Sequence, residues 1–137
     1  MLRLVFIVAL SVFAVAAHAG SPGVRDTQER LRIMLLNWGV GVLDYEFSDC
    51  LSILEEIDLV HEQHAIDFSE SKVDNYGTMS LIQGSVQSLD IDKKRKSSNE
   101  FLSLYFSDQG HLVGDALMHL SHICGQHNAV SAHDHHW

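Results

Sequence analysis

Residues Ser48–Phe68 read SDCLSILEEIDLVHEQHAIDF, and the fold turns on whether this stretch coils or extends. Cys50, Leu54, Ile57, His61, His64 and Phe68 recur at spacings of 4, 3, 4, 3 and 4, the stripe of an amphipathic helix. The only proline, Pro22, lies well upstream. The spacing predicts a helix from about Ser48 to Phe68, with two histidines inside its apolar stripe.

The flanking segments extend the same reading. Asp26 or Thr27 is placed to cap a first helix through Asn37, and Gly39-Val40-Gly41 interrupts it. Asn75–Leu89, carrying Met79, Leu81, Ile82 and Val86, reads as a weaker third helix, and Ser98–Phe106 as a short fourth. In SDQGHLVGDALMHLSHICG, residues 107–125, Ser107 or Asp108 offers a cap and Gly125 a stop. At about 100° per residue, Leu112, Val113, Ala116, Leu117, Leu120, Ile123 and Cys124 fall in an arc about 140° wide, a core-facing stripe. Long alternating runs are absent, so little reads as strand. These signals predict an all-α domain, a small bundle of about four to five short helices.

The first 19 residues read as a secretory signal peptide: Arg3, an apolar run from Leu4 to Ala17, and Ala17-His18-Ala19 as a cleavage site. A cut after Ala17 is the alternative, and it leaves His18 first. Removing 19 of 137 residues leaves 118, enough for one helical domain, 20–126, and a flexible histidine-rich tail, 127–137. The leader holds one of the nine basic residues and no acid, so eight remain against eighteen, a formal charge near −10. That balance excludes nucleic acid as a partner, since phosphate binding needs clustered positive charge. Lys93-Lys94-Arg95-Lys96 is a solvated loop, with proteolytic processing as the alternative. No integral membrane segment is expected after signal cleavage. Outside the cell the two cysteines, Cys50 and Cys124, are expected to pair as a disulfide.

Chemistry concentrates in the histidines. His111, Asp115, His119 and His122 are spaced 4, 4 and 3 and form one ridge of the last helix, mostly away from its apolar arc. Imidazoles at such spacings can share one ion, with Asp115 as ligand or orienting partner. The chain then ends SAHDHHW, where His133, Asp134, His135 and His136 offer further donors on a segment able to fold over. Of the nine histidines beyond Ala19, the ridge and tail hold six, and His127 makes seven. His61-Glu62-Gln63-His64 lacks the order of a zincin motif, and its histidines read as a partly buried, satisfied pair. That pair can join a buried site only if the second helix packs against the last. No nucleophile elbow, phosphate loop or telling carboxylate pair is present, so no enzyme is expected.

The stretch LSLYFSDQGHLVGDALMHLSHIC, with the His/Asp-rich end after it, resembles microplusin and hebraein, a family of small secreted antimicrobial proteins of ticks. The resembling features are Tyr105-Phe106, the polar cap Ser107-Asp108-Gln109, the amphipathic helix ending in Cys124, and the tail His133-Asp134-His135-His136. Upstream, SDCLSILEEI around Cys50 is similar to the family's early cysteine-bearing helix. The resemblance covers the C-terminal third. It implies a five-helix, disulfide-bonded fold that sequesters copper, and to some extent iron, and so starves microbes.

Together these residues point to a secreted protein binding copper(II) or another divalent ion. His133, His135 and His136 are the expected tail ligands, and His111, His119 and His122 the helical platform. Asp115 and Asp134 are orienters or oxygen ligands. Imidazole binds metal only when neutral, so affinity is expected to fall below about pH 6.5, the ordinary histidine value. The alternative is a secreted carrier or salivary effector binding an apolar ligand or host protein, with Trp38, Tyr45, Phe47, Phe101, Tyr105 and Phe106 lining a pocket.

Overall fold

A computed structural model describes the backbone of residues 23–134 and side chains as far as Gln126. Helix α1 (Val24–Trp38) is followed by five strands, β1 (Val42–Ser48), β2 (Leu51–Ile57), β3 (His61–Asn75), β4 (Met79–Asp90) and β5 (Arg95–Tyr105), and by helix α2 (Gly110–Asp134). The strands form one antiparallel meander in the order β1-β2-β3-β4-β5. The all-α bundle is therefore corrected to a five-stranded sheet with two helices, and the five-helix architecture implied by the resemblance falls with it. The segments expected as helices at Ser48–Phe68, Asn75–Leu89 and Ser98–Phe106 are mostly strand.

The reason lies in which residues find a core. Along β2 and β3, Ser52, Leu54, His64, Ile66 and Phe68 are buried, a period of two that puts them on one face of the sheet. Ile57 is instead 47% exposed, and His61 turns to the opposite face from His64. Asp58-Leu59-Val60 makes a tight turn without glycine or proline, so nothing in the local sequence announces the break. Burial slips by one residue between Phe68 and Val73, at an irregularity where β3 and β4 shift register. Opposite it, Gly84 sits at φ 137, where an added Cβ would run into the Glu70 carbonyl oxygen.

Both helices cover that face. Leu31, Met34 and Leu35 of α1 and Val113, Leu117, Leu120 and Cys124 of α2 join Tyr45, Leu54, Ile66, Phe68, Ile82 and Leu104 in one core. The core arc read for the last helix thus holds, except that Leu112 is 54% exposed. Gly23, not Asp26 or Thr27, takes the N-cap position of α1. Helix α2 passes Gly125, the expected stop, and runs to Asp134.

Three ties lay α2 antiparallel along β3. Asn75 Nδ2 donates to the His111 carbonyl (3.2 Å) and to Asp115 Oδ1 (3.0 Å). Further along, Ser121 Oγ donates to the Ser71 carbonyl (2.5 Å). Cys124 then bonds to Cys50, the disulfide expected from sequence. No described helix is long and apolar enough to cross a membrane.

Candidate metal centre

Strand pairing brings together what the helical reading kept apart. Glu56 on β2 stands directly opposite Glu62 on β3, and Leu54 opposite His64. Alternation puts Glu56, Glu62 and His64 on the helix-covered face, close to the β2–β3 turn. The His64 side chain is 3% exposed, Glu56 18% and Glu62 36%. His64 Nε2 lies 2.8 Å from Glu56 Oε2 and 3.9 Å from Glu62 Oε1.

These three are the one group of at least three His, Cys, Asp or Glu donors, among the described residues, whose ligand atoms all lie within 4.8 Å of one another. Ligands at about 2.1 Å from a tetrahedral ion stand about 3.4 Å apart. The three donor atoms thus lie close to the spacing that one ion requires. The pairing also sets two carboxylates face to face, which destabilises a sheet unless something positive stands between them.

A second layer orients the imidazole. His64 Nδ1 lies 2.6 Å from Ser88 Oγ, and Asn99 Nδ2 donates to that same oxygen at 2.6 Å. Ser88 faces His64 directly across β3 and β4. Two proton arrangements fit. With a proton on Nε2, the ring donates to Glu56 and accepts from the Ser88 hydroxyl. With a cation at Nε2, Nδ1–H donates to Ser88 Oγ, the outer-sphere bond that metal-bound histidines ordinarily make. Zinc and other borderline divalent ions accept one imidazole and two carboxylates.

The expected ligands fare differently. His111, Asp115, His119 and His122 lie on α2 as read, yet they form no such three-donor group. The His111 ring packs beside Gly77, Asp115 holds Asn75, His119 lines a groove against α1, and His122 is exposed. The side chains of His127, His133 and Asp134, with His135 and His136, fall outside the described residues, as does His18. His61 is on the opposite face, 2.6 Å from Glu55 Oε2. Glu56 and Glu62 went unread, although EEIDLVHEQH taken as a hairpin turning at 58–60 places them beside His64.

The proposed aromatic pocket does not form. Tyr45 and Phe106 are buried in the core, Trp38 and Phe47 pack against it, and Phe101 and Tyr105 are more than half exposed. No family model matches the chain, and neither a curated protein nor a solved structure matches it.

Proposed function

We propose that the protein is a secreted binder of a divalent metal ion, held by Glu56, Glu62 and His64. The observation that supports this reading is the convergence of two facing carboxylates on a nearly buried imidazole whose other nitrogen is already oriented by Ser88. The donor set favours zinc or another borderline ion as readily as copper(II). The acidic chain draws cations toward it. The tail histidines His133, His135 and His136 stand as additional donors, and withholding metal from microbes is the role that the resemblance adds.

The test is calorimetric titration with zinc(II) and copper(II) of the intact protein, a Glu56→Gln/Glu62→Gln double variant and a chain ending at Gln126. Binding tighter than about 10 μM that the double variant abolishes and the shortened chain retains assigns the ion to the sheet. Loss in the shortened chain alone moves the site to the tail. No binding tighter than about 10 μM in the intact protein ends the metal reading and leaves His64 a hydrogen-bonded core histidine.

A further inference from the structure

The second feature that points to a ligand lies between the two helices, and it is independent of the metal reading. Thr27, Arg30 and Met34 of α1 face Leu112, Asp115, Ala116 and His119 of α2 across a half-open groove of about 420 Å³. Small-molecule sites commonly measure about 300–1,000 Å³ and combine apolar walls with a few convergent polar groups. Met34, Leu112 and Ala116 supply the walls.

Two polar facts single out the occupant. Thr27 is 3% exposed, and its Oγ1 is a buried hydroxyl without a hydrogen-bond partner among the described residues. A buried hydroxyl left so costs stability, which is why such groups are rare without a ligand or water. Arg30, one turn along the same helix wall, has no ion-pair partner among the described residues. By contrast, Asp115 already accepts from Asn75 Nδ2. The groove thus offers a solvent-exposed guanidinium and, on its α1 side, a buried hydroxyl able to donate, beside a hydrocarbon wall.

We infer that this groove binds an unbranched monocarboxylate of the medium-chain fatty-acid type. Arg30 and the Thr27 hydroxyl donate to the carboxylate, and the chain lies along Met34, Leu112 and Ala116. A carboxylate matches the planar fork of arginine and takes the spare hydroxyl proton as well.

Decanoate, decan-1-ol and decylamine, each below its micellar concentration, are the probes for calorimetric titration of the intact protein. Decanoate is expected to bind, with the alcohol and the amine at least tenfold weaker. Arg30→Gln should weaken decanoate binding about 10-fold or more, and Thr27→Val about 2- to 10-fold. Leu112→Asp, at an exposed position and so tolerated by the fold, should abolish it, with an unchanged circular dichroism spectrum as the check. Equal binding of decanol, tighter binding of decylamine, an unaltered Arg30→Gln variant, or no binding of decanoate would each overturn the assignment.

Discussion

Tyr45 carries a titration that reports directly on the core. Its hydroxyl donates to Gln28 Oε1 at 2.5 Å and lies 2.8 Å from Ser52 Oγ. Gln28 Nε2 donates in turn to Ser52 Oγ and to the Asp49 carbonyl. Tyr45 and Gln28 are both essentially inaccessible, so this knot joins α1, β1 and the β1–β2 turn with its polar groups satisfied. Burial pushes the Tyr45 phenol far above its ordinary range, and the neighbouring Ser52 hydroxyl only partly opposes the shift. The folded state therefore holds the phenol proton more tightly than the unfolded chain does. The resulting stability is complete below about pH 10, the unfolded tyrosine value, and is lost as pH rises beyond it. Urea midpoints measured from about pH 9 to about pH 11 should fall more steeply in the native protein than in Tyr45→Phe. At neutral pH the same variant should be destabilised by about 1–3 kcal/mol, because Gln28 Oε1 loses its donor inside the core.

The β2–β3 hairpin carries an unfavourable charge pairing at the candidate site. Glu56 and Glu62 face one another across the ladder, and like charges so placed weaken a sheet. Glu62→Lys makes the pair attractive, so the metal-free protein should unfold about 0.2–1 kcal/mol later, while metal binding disappears. Unchanged binding in that variant would remove Glu62 from the donor set. Where α2 meets the β3–β4 turn the limit is steric: a Cβ on Gly114 would overlap the Asn75 side chain. Gly114→Ala should cost about 1–3 kcal/mol in thermal unfolding, even though alanine is the better helix former. The same elements show what sequence could carry. Helix α2 was legible because Val113, Leu117, Leu120 and Cys124 satisfy a period of 3.6 and no other. Leu54, His64 and Phe68 satisfy both the helical stripe and strict alternation, and so they could not decide between them. The β1–β2 and β4–β5 turns gave no cue either, since Asp49 and Lys94 adopt left-handed backbone without being glycine. With the hairpin unread, Glu56 and Glu62 escaped notice, on what looked like the polar side of a helix.

The chain as a whole is held by one covalent tie between its last helix and its sheet. Cys50 and Cys124 are 74 residues apart, and the loop they close contains all of β2 to β5. On the chain-entropy view, closing a loop of about 75 residues stabilises by about 4 kcal/mol, a large share of the roughly 5–15 kcal/mol of an ordinary domain. A Cys50→Ala/Cys124→Ala variant should therefore lose about 4 kcal/mol in urea unfolding and still fold at room temperature, because Leu117 and Leu120 remain fully buried anchors. Its two candidate sites should then part company. Glu56, Glu62 and His64 all stand on adjacent strands whose ladder needs no disulfide, so metal affinity should change little. The groove depends on how α2 sits against α1, and loosening α2 at its Cys124 end should weaken decanoate binding several-fold. Titrating both probes into the oxidised protein and the double variant checks this directly. Equal loss at both sites would mean that the disulfide supports the sheet itself, and not only the helix laid across it.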